Sequence, residues 1–487
     1  MKKLNLALFL SLPIQTFFAQ IISKDPSFGV NGEYTVTPIN VPTGGIYQNM
    51  GGQILQHPDG SLYYSSFPGY TFPGGIDVTS TRKLSSNGTL DTSFGNNGEL
   101  ASVTSFTIFD YVQELNGKLL TISKNDNSHE YIIKRLLPNG QPDPTFGTNG
   151  TITTIFAFDS CHHSGFVIQN NKILVYGSQN VAPNVYNKII YRLNADGSTD
   201  TSFGSNGLIT SQTTALNEEY NTVLVDKQSN IINICFNSIE KYTPNGQPFT
   251  GFGNNGKVQL PSNYYANTSY EDLLVDENNK IIYAKDNTIY RVNPDGTFDD
   301  TLNFIRPTFP LPPSYPFTNT PYTGRIINIK EKNGFYYVLW ALEENNSAFS
   351  PMLISKHLQN GTADSAFGSY SEGPVYGDFM HDMVINDNNI IVSGDYRIVK
   401  YLLANPTLST NEVNSTPFIT FENPANDVLV YKTQEKISEM QMYTLDGKLV
   451  KTIEKNNTNI SELPKGIYFL KTKFINGKVI ITKLLKK

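Results

Sequence analysis

One short phrase recurs along most of this 487-residue chain. Asp91-Thr92-Ser93-Phe94-Gly95, followed by Asn97-Gly98, returns as Asp143-Pro144-Thr145-Phe146-Gly147 with Asn149-Gly150. It returns again as Asp200-Thr201-Ser202-Phe203-Gly204 with Asn206-Gly207. An earlier copy reads Asp25-Pro26-Ser27-Phe28-Gly29 with Asn31-Gly32; later ones decay to Gly251-Phe252-Gly253 and Asp364-Ser365-Ala366-Phe367-Gly368. The anchors Phe28, Phe94, Phe146, Phe203, Phe252, Leu302 and Phe367 lie 66, 52, 57, 49, 50 and 65 residues apart. A motif at that period means one supersecondary unit repeated along the chain, each copy burying itself against its neighbours.

Each unit reads as four short strands. An alternating strand such as Thr151 to Ile155 follows the glycines, and a second, as in Asp272 to Val275, precedes a turn of Asp, Asn or Gly type. A strongly apolar third strand comes next (Lys172 to Tyr176, Phe335 to Ala341), then a fourth with a basic residue near its end: Lys83, Arg135, Arg192, Lys241, Arg291, Lys356 or Lys400. Period-2 alternation between such turns is a hairpin signal, with no helical periodicity beside it. The predicted fold is all-β: a seven-bladed β-propeller of four-stranded blades over residues 21–407, whose radial closure protects strand edges. A β-solenoid, the rival, has much shorter repeats. Glu33 to Thr37 could belong to the first blade or close the last; the sequence leaves both open. Within the motif, Asp is expected to cap its own turn, Phe to plug between sheets and Gly to take positive φ. A feature repeated this often reads as architecture rather than as a calcium or catalytic loop.

The Asp-x-Ser/Thr-Phe-Gly-x-x-Gly units over about residues 25–405 resemble the delta-60 repeat, a bacterial β-propeller repeat of unassigned function. The fifth anchor lacks the Asp, the sixth the Phe and Gly, and the seventh the downstream Asn-Gly.

Residues 1–20 read as an export signal: Lys2 and Lys3, an apolar stretch from Leu4 to Leu12, and a cleavage region near Ala19. No later segment supplies the roughly 20 apolar residues of a membrane span. Two cysteines, Cys161 and Cys235, rule out a disulfide framework and read as buried free thiols. Residues 408–487 hold 12 Lys and 8 acids; with Lys2 and Lys3 also set aside, the whole-chain charge of −6 leaves −12 on residues 21–407. An acidic main domain disfavours nucleic acid as a partner.

After a linker at 408–416, residues 417–487 show short strands of their own, among them Ile437 to Leu445 and Gly466 to Ile475. Asp446-Gly447 and Asn476-Gly477 read as hairpin turns. These features predict a small β-sandwich. Phe421-Glu422-Asn423-Pro424, the stretch Met442 to Val450 containing Gly447, and Leu463-Pro464-Lys465-Gly466-Ile467-Tyr468 resemble a type A sorting domain of the Bacteroidetes type IX secretion system. Phe421-Glu422 departs from that family's usual Tyr-Pro-Asn-Pro opening, while the Leu-x-x-Gly-Ile-Tyr segment is intact. The resemblance implies the type IX machinery as partner, passage through the outer membrane, and removal of the tail with release or surface anchoring.

No catalytic constellation, cofactor fingerprint or metal-ligand spacing is legible, so none of these is expected. His162-His163 beside Cys161 would point to opposite faces of a strand, and His357 and His381 stand alone in the sequence. Long aromatic insertions mark one face instead: Pro68 to Pro73, with Tyr70 and Phe72, and Phe309 to Phe317, with Tyr315 and Phe317. Variable loops on a rigid face are where scaffolds place binding, although such segments can also merely cover blade edges. These four aromatics, flanking blade seven from either side, are the expected ligand contacts. The sequence therefore reads as an exported, non-enzymatic binding or scaffold propeller for a glycan or protein. The alternative is a secreted polysaccharide hydrolase or lyase using carboxylates at the channel mouth.

Overall fold

A computed structural model describes residues 21–37, 48–50, 52–69, 77–104, 111–124, 130–157, 165–183, 185–213, 221–235, 237–261, 273–285, 288–305, 323–343, 352–364, 367, 370–372, 380–404, 419–433, 435–444, 448–475 and 479–487. Every regular element among them is a β-strand. The chain divides into two compact units, Met1–Thr407 and Leu408–Lys487.

The first unit is a β-propeller whose described strands form seven antiparallel sheets, here blades one to seven in chain order. Blade three is representative: Gly165–Gln169, Lys172–Ala182, Val185–Leu193 and Leu208–Thr213, each paired with the next. The first strands of the seven blades are Ile54–Gln56, Tyr111–Leu115, Gly165–Gln169, Asn221–Val225, Leu273–Val275, Thr323–Lys332 and Met380–Ile385. Each packs against the next, and the seventh returns to the first.

The strand after each motif turn belongs to the blade before it: Thr151–Ala157 pairs with Glu130–Leu136 as the outer strand of blade two. The phase left open by the sequence is thereby decided. Glu33–Thr35 pairs with blade seven through Tyr34 opposite Ile398, and Ile21–Lys24 extends the same edge through Ile21 opposite Ala404. The N-terminal segment closes the ring.

The motif turns show why the unit repeats. Asp200 Oδ1 accepts from Ser202 N at 3.2 Å and Ser202 Oγ at 2.6 Å, capping its own turn. Phe203 is fully buried, as are Phe28, Phe94, Phe146 and Phe252. Gly204 has φ 51°, and a Cβ there would lie 2.0 Å from Leu208 O, so only glycine fits. Its N–H donates to Asn245 O of the following unit at 2.9 Å, so each turn is hydrogen-bonded to the next. The basic residue near the end of the third blade strand reaches back to the same Asp: Arg192 Nε donates to Asp200 Oδ2 at 2.7 Å and stacks on Phe203 at 4.2 Å. Lys83–Asp91, Arg135–Asp143, Arg291–Asp299, Lys356–Asp364 and Lys400–Asp25 repeat the pair. Where Phe249 stands in place of the Asp, Lys241 pairs with Asp226 at 3.1 Å and lies over the Phe249 ring. Where Leu302 replaces the Phe, blade five has three described strands instead of four.

These clasps carry a pH dependence. Burial alone would raise Asp143, Asp200 and Asp299, but cationic and hydroxyl donors outweigh it and hold all three well below the usual carboxylate range. The donors are Lys118, Thr145 and Arg135 for Asp143; Lys172, Ser202 and Arg192 for Asp200; and Lys280, Thr301 and Arg291 for Asp299. Folded values below the unfolded ~3.9 stabilise the fold at neutral pH, and that contribution is lost on acidification. The thermal midpoint should hold from neutrality to about pH 5 and fall steeply below about pH 4. A triple Asp→Asn variant should begin lower and have a shallower acid slope, the remainder coming from carboxylates such as Asp25 and Asp91 that are lowered in the same way; an unchanged slope would contradict the assignment.

The second unit builds one four-stranded sheet in the order Leu449–Thr452, Ile437–Thr444, Gly466–Phe474 and Val479–Lys486, plus two small strand pairs. Its core gathers Met440, Met442, Tyr468, Leu470, Phe474 and Leu484 with Ile419, Leu429 and Ile460. Asn423 ties the opening motif to the last strand, accepting from Leu485 N at 2.9 Å and donating to Lys483 O at 3.0 Å. Leu463 packs against the core, and Tyr468 donates to Pro464 O at 2.7 Å. Gly447 and the two expected hairpin turns lie outside the described residues.

Candidate functional site

The described first strands of blades three to five present half-buried aliphatics such as Val167, Ile168, Leu224 and Leu273. Polar side chains concentrate instead on the first strands of blades six and seven. Both strands carry a bulge, between Ile326 and Asn328 in blade six and between Met380 and Asp382 in blade seven. An extra residue re-aims the side chains around it, and bulges recur beside functional sites.

Asp382 is the junction of three blades. Its Oδ1 accepts from Asn328 Nδ2 at 3.0 Å and Met383 N at 2.8 Å, and its Oδ2 accepts from Ile54 N of blade one at 3.1 Å. Lys330 Nζ lies 3.4 Å away. A carboxylate held this completely is a latch, not a free acid or nucleophile. Two further polar side chains adjoin it. Asn328 is 6% exposed, and its buried Oδ1 accepts no hydrogen bond from the protein. His381, the bulge residue, places Nε2 2.7 Å from Asp395 Oδ1. That pairing orients the ring and, in the neutral tautomer that donates from Nε2, leaves Nδ1 as an acceptor. With its side chain 31% exposed, His381 is reachable. Asp395 sits in the connection between the second and third strands of blade seven.

His381 and His357 therefore do not stand alone, as the sequence suggested. His357 meets Ser355 Oγ at 2.9 Å, which in turn accepts from Trp340 Nε1 at 2.7 Å. The group is sealed in the core, and burial depresses His357 to about 4, so it stays neutral and structural. Cys235 is buried and forms no disulfide among the described residues, its Sγ accepting from Lys188 Nζ at 3.3 Å, while Cys161, His162 and His163 lie outside the described residues. So do Tyr70, Phe72, Tyr315 and Phe317. The described residues that flank 70–76 and 306–322 are Gly69 and Asp77, strand ends of blade one, and Ile305 and Thr323, the latter a strand end of blade six; blades one and six lie on either side of blade seven. Sequence reasoning missed the cluster because a bulge leaves no compositional mark. One carboxyl elsewhere is unusual: burial, with Glu277 and Asp276 nearby, raises Glu331. Among the described residues no group of three or more His, Cys, Asp or Glu could hold a metal ion.

Comparison with known families finds the secretion system C-terminal sorting domain at residues 420–487 and the beta-propeller domain of unknown function DUF5122 at residues 169–203. No curated protein matches the chain. The beta-propeller domain of the Trilobed protease from Pyrococcus furiosus is similar at 8% identity and TM-score 0.40, covering 74% of this chain and 96% of that one. An unknown-function protein from Dyadobacter fermentans is similar at 6% identity and TM-score 0.35, covering 77% and 100%. An acylaminoacyl peptidase from Pyrococcus horikoshii is similar at 8% identity and TM-score 0.40, covering 88% and 58%. None of these structural likenesses bears on activity. The protein is a β-propeller carrying a type IX sorting tail, and so is secreted or attached to the outer-membrane surface.

Proposed function

We propose that the protein is a non-enzymatic binding propeller that takes a hydroxyl-rich ligand, a glycan, over blade seven. The observation that supports this reading is the cluster at the blade-seven bulge: the partly exposed His381 ring, oriented by Asp395, lies next to the fully engaged Asp382 and to Asn328, whose Oδ1 accepts no hydrogen bond from the protein. A sugar hydroxyl could donate to Nδ1 of the neutral His381 ring, and Tyr70, Phe72, Tyr315 and Phe317 would add flat stacking area. The −12 charge on residues 21–407 favours neutral or cationic ligands over anionic polymers. The proposed layout is a signal at 1–20, a seven-bladed propeller at 21–407, a linker at 408–416 and the sorting domain at 417–487.

The test is a glycan array beside a polysaccharide-degradation screen. Binding without turnover is expected, and His381→Ala or the four-aromatic alanine variant should each weaken it by about tenfold or more, the factor that ~1.4 kcal/mol produces. Unchanged affinity in both variants would refute the site. The raised Glu331 favours a second reading, general acid catalysis on polysaccharide. Turnover abolished by Glu331→Gln would replace the binding proposal with that one.

A further inference from the structure

We infer that the outward face of the four-stranded sheet in the sorting domain is the surface read by the export machinery, and that its partner there is an apolar patch rimmed by carboxylates. The inference rests on the sorting-family match at residues 420–487 and goes beyond it by naming the face and the chemistry that fits it.

The inward face is accounted for by Met440, Met442, Tyr468, Leu470, Phe474 and Leu484. A half-buried antiparallel sheet should turn polar side chains outward. This one does not. Register places Leu449 opposite Tyr443, Tyr443 opposite Phe469 and Phe469 opposite Lys483, one row across all four strands. In the neighbouring row Ile467 lies opposite Leu485. Paired residues share a face, so five apolar or aromatic side chains adjoin one another on the side away from the core. Leu449, Ile467 and Leu485 are 45%, 37% and 41% exposed.

The Leu-x-x-Gly-Ile-Tyr segment is split by this geometry. Leu463 and Tyr468 serve the core, whereas Ile467 faces outward and serves nothing inside the domain. A β-branched aliphatic held outward beside another aliphatic loses solvation without any return in folding, which is the mark of a recognition surface. Beyond the patch the same face turns cationic: Lys471, Lys473 and Lys483 are exposed, with Glu439 opposite Lys473. Apolar centre and lysine rim together match an apolar partner surface bordered by acids; a bare membrane or an anionic polymer would need the cations without the central patch.

The test uses the full chain in a host with a working type IX system, following export of the propeller to the surface or medium. Ile467→Asp with Leu485→Asp should cut export by about tenfold or more, as ~1.4 kcal/mol or more of lost binding would. The protein should accumulate in the periplasm with unchanged thermal unfolding. Ile467→Thr with Leu485→Thr keeps strand propensity and should act in the same direction, which guards against a folding artefact. Lys471→Glu with Lys483→Glu should also reduce export. Deletion of residues 420–487 separates the two levels. If deletion blocks export but the face variants are exported normally, the face is wrong and the sorting role stands. If the deleted protein is exported normally, both fall.

Discussion

Replacing Phe203 with alanine is expected to destabilise the propeller by about 3–5 kcal/mol, the range for deleting a fully buried aromatic. The ring is 0% exposed and belongs to a cluster drawn from two blades: Leu174, Tyr176, Ile190 and Ile209 of blade three, and Val223 and Ile231 of blade four. Its removal opens a void at the seam instead of within one sheet. The surroundings are poorly able to collapse into that void. Arg192 lies over the ring at 4.2 Å, and Gly246 of the following turn approaches so closely that a Cβ there would stand 2.9 Å from it. Arg192 is also tied to Asp200 at 2.7 Å and to Pro244 O at 2.5 Å, so it cannot swing in without breaking charge-assisted bonds. Ser202→Ala, which removes only the hydroxyl donor to Asp200, should cost about 1 kcal/mol and serves as the control. Urea unfolding monitored by intrinsic fluorescence would measure both. A Phe203→Ala cost near that of Ser202→Ala would show that the motif phenylalanine is not the inter-blade wedge.

How far the sequence was legible follows from the range of each interaction. The motif turn is local: Asp caps Ser or Thr two residues on, and the recurrence itself announced a propeller. The basic residues were equally visible, but their role was not, because Arg192 and Asp200 meet across a turn and an adjoining strand. Closure phase was illegible for a reason of symmetry. In a periodic chain, a strand between two similar turns is equally suited to the sheet before it and the sheet after it. Only the ends break that degeneracy, and they do so through the pairing of Tyr34 with Ile398. The blade-seven cluster was hidden differently: His381 finds Asp395 fourteen positions away only because a bulge turns it there.

Deleting residues 21–36 should have the larger effect of the two, abolishing cooperative folding of the propeller. The segment supplies the outer edge of blade seven twice over, as Ile21–Lys24 and as Glu33–Thr35, on either side of its motif turn. With it go Ile22, Phe28 and Val36, at 8%, 0% and 1% exposure, and the Asp25–Lys400 pair at 3.2 Å. Phe28 alone is worth about 3–5 kcal/mol, against a total of about 5–15 for an ordinary domain. The loss also bares the edge of Arg397–Ala404, whose unpaired N–H and C=O groups invite association with another chain. Aggregation should therefore accompany unfolding. Because Ile21 pairs with Ala404, the ring's closing contact joins its first and last described strands, and the strand to be capped is the last made. Non-local pairing of that kind is slow to form, so the truncated protein should fail in refolding even where some collapsed material survives. A synthetic peptide of residues 21–37 added during refolding should restore soluble protein and a cooperative thermal transition, since the edge it fills is already shaped by blade seven. A truncated protein that unfolds at the full-length midpoint would overturn the closure, whereas failure of truncation combined with rescue by the peptide would locate the defect at that one edge.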